Sequence, residues 1–334
     1  MFYKKIVFQE PWKISVEEDE VDFSQMPANH ILLKKKYSLI SAGTELACLA
    51  GSEGWFKMPK VPGYCSVSEI AAVGEGVSDF KVGDIVYSSG NHSGYQICSA
   101  TDLILKVPSD IDLKLIPFTR MATIAMTALR VSKIEIGDYV AVTGQGLVGN
   151  LALQLAKLQG AAVIAIDLSD KRLELSKKCG ADYILNPSVT DVRQRIMDIT
   201  CGEGVSTLIE ASGVPKVLAD NLQVIATSGE AILLGSPRGE FNLNLTELLN
   251  RTHICAYDVN LKGAHEFKHP IKKHKFVKHS IERNAKIVFR LLKEEKIQID
   301  GLLSEVVKPE DAVRAYENLK NNKEDYIGVL IDWT

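Results

Sequence analysis

Hydrophobic positions along this chain follow two periods, and the change between them near residue 116 divides it. Before that point, short apolar runs are punctuated by glycine. They include Ile31-Leu32-Leu33-Lys34, Ser68-Glu69-Ile70-Ala71-Ala72-Val73-Gly74, Asp84-Ile85-Val86-Tyr87 and Leu103-Ile104-Leu105-Lys106-Val107-Pro108, with Gly74, Gly76, Gly83 and Gly90 between them. Short runs bounded by turn residues predict strands, so 1–115 reads as a β-rich domain. From residue 116 a helical stretch to 130 leads into alternating strands and helices through Leu234-Gly235-Ser236. That alternation predicts a parallel sheet with crossover helices, here assigned to 116–260. Its later strands are Thr207-Leu208-Ile209-Glu210-Ala211 and Ala231-Ile232-Leu233-Leu234. The remaining segment, 261–334, carries helices near 281–296 and 309–320 and a last strand Gly328-Val329-Leu330-Ile331-Asp332. The expected fold class is α/β, with the β-rich domain beside a doubly wound parallel sheet.

The parallel-sheet region opens on Val140-Ala141-Val142-Thr143 followed at once by Gly144-Gln145-Gly146-Leu147-Val148-Gly149. Strand residues running into Gly-x-Gly-x-x-Gly, then Leu147, Leu151, Leu155 and Leu158 at helical spacing, predict a strand, a tight turn and a helix. Gly144 permits the turn, Gly146 lets the backbone approach a pyrophosphate, and Gly149 lets helix and strand pack closely. An anion then meets unpaired N–H groups at a helix N-terminus. Glycines alone are a weak signal. The second strand, Ala162-Val163-Ile164-Ala165-Ile166, strengthens it by ending in Asp167, 18 positions beyond Gly149. A carboxylate there accepts ribose hydroxyls and repels a 2′-phosphate, which favours NAD over NADP. Lys171 and Arg172 lie close behind and partly offset that repulsion. Candidate cofactor residues are therefore Gly144, Gly146, Leu147, Val148, Gly149, Asp167 and Arg172, with Ser212, Gly235 and Ser236 at the ends of later strands, where such sheets bind ligands. Thr123 and Thr127 are further candidates, each with a plain helix-packing reading.

Composition narrows the class. Of 334 residues, 46% are hydrophobic and 24% charged, which suits two domains with adequate cores. The net charge of −3 gives no pull toward nucleic acid or an acidic membrane surface. No apolar run reaches the roughly 18 residues a membrane helix needs, and Met1 to Gln9 lack the apolar core of a signal peptide. Cys48, Cys65, Cys98, Cys179, Cys201 and Cys255 form no Cys-x-x-Cys pair. The expectation is a cytoplasmic protein with small buried thiols and a small-molecule substrate.

Several stretches together carry a resemblance. They are Ser41-Ala42-Gly43-Thr44-Glu45, Val61-Pro62-Gly63-Tyr64, Phe80-Lys81-Val82-Gly83-Asp84-Ile85-Val86, the glycine loop, Cys179-Gly180-Ala181-Asp182 and Pro309-Glu310-Asp311-Ala312. With them the chain resembles the medium-chain dehydrogenase/reductase family over nearly its whole length. The resemblance implies a GroES-like catalytic domain completed by the C-terminal segment, a Rossmann domain, a nicotinamide held in a cleft between them, and a homodimer or tetramer.

Departures from the family pattern bear on mechanism. Zinc-dependent members carry a ligand Cys where this chain has Ala42, and His-Glu where it has Tyr64-Cys65; the third ligand position falls near Arg120. The lobe that binds a structural zinc in such members is matched by a single cysteine, Cys98, in 91–102. Zinc needs three or four N, S or O ligands, so no metal is expected at either place. Hydrogen-bond donors must then stabilise the oxygen that gains charge during hydride transfer. The resemblance places Thr44 at the proton-relay hydroxyl and Tyr64 at a ligand position facing the cleft. The expected catalytic set is Tyr64 as proton donor or acceptor, Thr44 as its partner, and Glu45 orienting substrate or backbone. Plainer readings stand beside these: Tyr64 as a turn tyrosine packed on the glycine-rich loop, and Thr44 as the N-cap of a helix at 45–50. Ala47 matches the histidine that passes the relay's proton to solvent in many relatives.

The stretch 265–279 is locally basic and holds four of the seven histidines, interrupted by Pro270. It either binds an anion or is a solvated loop balanced by Glu282 and other acidic neighbours. Taken together, the expected activity is zinc-independent hydride transfer between NAD(H) and a secondary alcohol, polyol or sugar-like substrate, in a subgroup resembling bacteriochlorophyllide dehydrogenase-like proteins. The alternatives are a zinc-free quinone or enoyl reductase using NAD(P)H, and a catalytically silent NAD(H)-binding sensor.

Overall fold

The computed structural model describes residues 1–24 and 26–334. They divide into two compact units. Unit 1 comprises 1–120, 285–295 and 299–334; unit 2 comprises 121–284 and 296–298.

Unit 1 begins with an antiparallel hairpin, β1 (Phe2–Glu10) and β2 (Lys13–Glu20), whose turn places Trp12 at φ 62°. Next come β3 (His30–Leu39), the short helix α1 (Ala42–Leu49), β4 (Ser66–Val73), β5 (Ile85–Ser88), β6 (Tyr95–Ser99) and β7 (Ile104–Lys106). The expected strands are all present, and β3 extends five residues beyond the apolar run that announced it. One core under this sheet gathers Ile31, Leu33, Ile70, Val86 and Ile104.

Helix α2 (Thr119–Val131) carries the chain into unit 2. There follow β8 (Tyr139–Thr143), α3 (Leu147–Leu158), β9 (Ala162–Ile166), α4 (Asp170–Lys178), β10 (Tyr183–Leu185), α5 (Val192–Ile199), β11 (Val205–Glu210), α6 (Pro215–Asn221), β12 (Ile225–Leu233), α7 (Thr246–His253) and β13 (Asn260–Gly263). The six strands pair in the order β10-β9-β8-β11-β12-β13, all parallel. Chain order reverses between β8 and β11, the switch point at which doubly wound sheets place ligands. Central strands are apolar on both faces, with Val140, Ala141, Ile164, Leu208 and Ile232 fully buried, as parallel sheets covered by helices on both sides require. On α3, Leu147, Leu151 and Leu155 are buried but Leu158 is 47% exposed, so the apolar stripe ends one turn early. Asn150 and Gln154 are buried instead; Gln154 Nε2 donates to Asn150 Oδ1 at 2.9 Å and to the Gln298 backbone carbonyl at 3.0 Å.

The last elements are α8 (Ile281–Lys293), β14 (Leu303–Val307), α9 (Ala312–Asn321) and β15 (Gly328–Asp332). Strand β15 pairs with β3 and β14 with β15, so the C-terminal segment completes the sheet of unit 1 in the order β14-β15-β3-β4-β5-β7, with β6 also on β3. Ile331, Val329, Tyr316 and Leu319 close a second core with Ile6 and Phe8. The boundary drawn at 260 in the sequence falls at the start of β13. Strand pairing to β12 keeps 260–263 in unit 2, which runs on to residue 284. No helix among the described residues is long and apolar enough to cross a membrane.

Candidate functional site

In unit 2 the carboxyl ends of β8, β11 and β12 meet through glycines. Gly144 has φ +83°, and a side-chain carbon there would lie 2.8 Å from the Ser212 backbone. At Gly149 it would lie 1.8 Å from the Gly144 carbonyl oxygen, so only glycine fits. Gly213 and Gly235 are as tight, with added carbons 2.5 Å from Ser236 O and 2.4 Å from Gly213 N. Gly146 differs. A carbon added there meets only the Arg172 guanidinium, at 4.0 Å, so the loop is open above the first turn of α3. Gly146 is the N-cap and offers no side-chain acceptor, which leaves the N–H groups of that turn to an external anion. Leu147 and Val148 form the turn itself. Such an open cradle on a helix N-terminus fits a pyrophosphate.

Asp167 follows the last residue of β9 and is fixed by its surroundings. Its carboxylate accepts from Gln145 N at 2.6 Å and Ser169 N at 2.9 Å, with Arg172 Nη1 at 3.9 Å. A carboxylate has about four acceptor directions, so two backbone bonds leave room for a pair of hydroxyls. Ser212 pairs with Glu210, whose buried carboxyl also accepts from the Gly213 amide; burial raises its pKa and these bonds oppose the rise. Thr123 and Thr127 are fully buried; Thr123 donates to Glu266, 143 positions on, at 2.8 Å, and Thr127 to the Thr123 backbone carbonyl at 3.2 Å.

Unit 1 holds a chain of hydroxyls around a buried carboxylate. Tyr64 donates to Ser41 Oγ at 2.5 Å, with the Thr44 hydroxyl near its phenol. Burial pushes the Tyr64 phenol well above its ordinary range, while the bond to Ser41 and the nearby Thr44 hydroxyl pull it back. The Arg120 guanidinium lies 5.6 Å from the centre of the Tyr64 ring. Helix α1 starts at Ala42, so Thr44 sits inside it rather than at its N-cap, which is Ser41.

Glu45 is buried and accepts three bonds: from Ser41 N at 2.8 Å, His92 Nε2 at 3.0 Å and Tyr316 at 2.5 Å. His92 continues to Ser38 Oγ at 2.8 Å, which accepts from Trp333 Nε1 at 2.9 Å. Because indole nitrogen only donates, the arrangement that satisfies every group has Ser38 donating to Nδ1 and the imidazole proton on Nε2. Gly63, at φ +97°, makes this possible; a side chain there would stand 2.8 Å from the His92 ring. Glu45 therefore holds the backbone at Ser41. The sequence gives Ser41 and Tyr316 no catalytic or binding role. His92 lies 47 positions from Glu45 and Tyr316 lies 271, so no local spacing could have joined them.

A profile of zinc-binding dehydrogenases matches residues 148–273. The chain is 28% identical over 340 aligned positions to L-threonine 3-dehydrogenase of Pyrococcus abyssi, covering 91% of this chain and 92% of that protein. It is 30% identical over 230 positions to an alcohol dehydrogenase of Geobacillus stearothermophilus, covering 59% of this chain and 68% of that one. Among solved structures, a short chain alcohol dehydrogenase (rspB) of Escherichia coli CFT073, complexed with NADH, superimposes with a TM-score of 0.83 at 20% identity, covering 99% of each chain.

Proposed function

The chain belongs to the medium-chain dehydrogenase/reductase family of alcohol dehydrogenase-like oxidoreductases, and from that premise we propose that it moves a hydride between NAD(H) and a secondary alcohol, polyol or sugar-like hydroxyl without a catalytic zinc. The observation that carries this reading is the donor chemistry at Ala42, Tyr64, Cys65 and Arg120. Ala42 has no donor atom, Arg120 is a cation over the Tyr64 ring, the Tyr64 phenol is engaged by Ser41, and only Cys65 offers a thiol. Among the described residues no three His, Cys, Asp or Glu side chains converge elsewhere. Zinc requires at least three ligands, so these residues do not fit it and no step runs through a metal.

Bound nicotinamide dinucleotide supplies or accepts the hydride. The chain's residues do the rest. Gly144, Gly146 and Gly149 shape the loop for the pyrophosphate, the first turn of α3 donates to it, and Asp167 accepts from the adenosine ribose. Ser212, Gly235 and Ser236 border the same strand ends. In the direction of carbonyl reduction the Tyr64 proton turns from Ser41 Oγ to the oxygen that gains charge and is delivered to it, and the Ser41 and Thr44 hydroxyls then donate to the phenolate left behind. Glu45, through Ser41 N, fixes the backbone from which Ser41 meets Tyr64. A positioned donor of this kind is worth about 2.7–4 kcal/mol, comparable to the several kcal/mol a Lewis acid supplies.

Tyr64→Phe tests this role. With NADH absorbance followed over a panel of secondary alcohols, polyols and sugars, kcat falls by about 10²–10³ and KM changes little. Wild-type kcat/KM across pH in that variant would remove Tyr64 from the mechanism.

A further inference from the structure

Within unit 2, four basic side chains from three segments crowd together without an acid. Arg130 comes from the end of α2, His269 from the loop after β13, and His279 and Arg283 from the start of α8. The His269 and His279 rings stand 5.6 Å apart, edge to face. Arg283 Nη1 donates to His279 Nδ1 at 3.2 Å, which leaves the imidazole proton of His279 on Nε2. Arg130 Nη2 contacts only the Met126 sulfur, at 3.4 Å, and its Nε is buried with no hydrogen-bond partner. His269 Nε2 is likewise buried without a partner.

Among the described residues no carboxylate pairs with any of the four. The acids nearest in sequence are engaged elsewhere: Glu266 accepts from Thr123, and Glu282 from Lys273 N at 3.2 Å. Lys268 and Lys278 add to the positive field. Burial and the facing Arg130, Arg283, His269 and Lys278 hold His279 down to about 4, and burial with Arg130 and Lys268 lowers His269. Burial and Arg283 likewise lower Arg130.

Two guanidinium groups partly withdrawn from water repel each other and hold the neighbouring imidazoles neutral, and a partner of opposite charge would relieve the conflict. Arg283 also stands in the first turn of α8, the end of a helix where a cation is least favoured. The backbone N–H groups there are occupied already. Ile281 N and Glu282 N donate to the Pro270 and Ile271 carbonyls, and Arg283 N to Ser280 Oγ. Whatever fills the cluster must therefore be held by side chains.

We propose that Arg130, His269, His279 and Arg283 form a site for a phosphoryl group, either as the free ion or at the end of a small phosphomonoester. Two permanent positive charges match a dianion. Donors arriving from three segments suit a tetrahedral oxyanion better than a planar carboxylate, and guanidinium groups bind phosphate in the plane of their N–H fork. This site is separate from the glycine loop and does not depend on the hydride-transfer reading.

Calorimetric titration of the full chain with inorganic phosphate, and separately with glycerol 3-phosphate, tests it. Both ligands give saturable binding, and Arg130→Gln and Arg283→Gln each weaken it by at least about tenfold. Arg283→Gln retains an amide that can donate to His279 Nδ1, so the loop stays tied to α8. Lys275→Gln, which removes one charge from an exposed position of the same loop, leaves binding unchanged. Tighter binding of the ester assigns the site to an organic ligand, and equal binding assigns it to the free ion; either outcome supports it. Absence of saturable binding, indifference to both arginine substitutions, or an equal loss in Lys275→Gln would overturn it, the last by showing a diffuse charge effect.

Discussion

Lys35 offers a quantitative test of how unit 1 is packed. Strand β3 reads Lys34-Lys35-Lys36; its alternation turns Lys34 to solvent and buries Lys35, which is 1% exposed. The ammonium reaches Gln96 Oε1 at 3.2 Å and Ser66 Oγ at 3.4 Å, and no carboxylate pairs with it among the described residues. A side chain at Gly90 would collide with it, lying 2.2 Å from Nζ. Desolvation lowers its pKa from 10.5 to about 7. Between those values the unfolded chain holds a proton that the folded chain does not, so stability rises with pH across that window, by up to about 1.4 kcal/mol per pH unit. The whole contribution, at most roughly 5 kcal/mol, is present above the unfolded value and lost as pH falls to the folded one.

Lys35→Met removes this titration while keeping a similar volume. Ser66 still pairs with Ser88, and Gln96 Oε1 still accepts from Asn91 N, so the substitution strands few polar atoms. The variant is therefore more stable than wild type near neutral pH, and the difference shrinks toward pH 10. Urea unfolding followed by tryptophan fluorescence reads the right unit, because Trp12, Trp55 and Trp333 all lie in unit 1. The same slope of stability against pH in both proteins would refute the argument.

Gly149→Ala follows from the 1.8 Å approach to the Gly144 carbonyl. Helix propensity alone would make alanine stabilising by about 1 kcal/mol, but the collision instead costs about 1–3 kcal/mol and abolishes NADH binding measured by fluorescence. Asp167→Ser weakens NADH on the order of tenfold or more, through loss of charged hydrogen bonds to the ribose, and narrows the gap to NADPH with Arg172 in place. Fluorescence titration with both dinucleotides decides, and an unchanged NADH affinity would remove Asp167 from the site. Glu45→Gln sets an amide against three donors and costs unit 1 on the order of 3 kcal/mol in the same tryptophan-detected unfolding. A loss under about 1 kcal/mol would show that the Ser41, His92 and Tyr316 bonds matter little.

Much of unit 2 is legible in the sequence because its determinants are local. The turn at 144–149, the strands on either side of it and the acid closing β9 occupy one short stretch and follow periodic rules. The unit 1 site is different. Tyr64 and Thr44 stand out only through the family pattern, whereas the carboxylate they adjoin is held by His92, Tyr316 and, through Ser38, Trp333, residues brought together by the return of β15 onto β3. Pairings across 271 and 295 positions leave no period to read. Lys35 was hidden for a related reason. Three consecutive lysines look like a solvated edge until pairing with β4 and β6 turns the middle one inward. Leu158 shows the reverse, a residue at helical spacing that the end of α3 carries past the core.

The central claim is that side-chain hydroxyls, not a metal, stabilise the reacting oxygen. Its most direct measurement is NAD reduction by a secondary alcohol or polyol substrate, using enzyme dialysed against a chelator until zinc analysis finds none. The account predicts an undiminished rate that added zinc does not raise. Activity lost on dialysis and restored by one equivalent of zinc would contradict it.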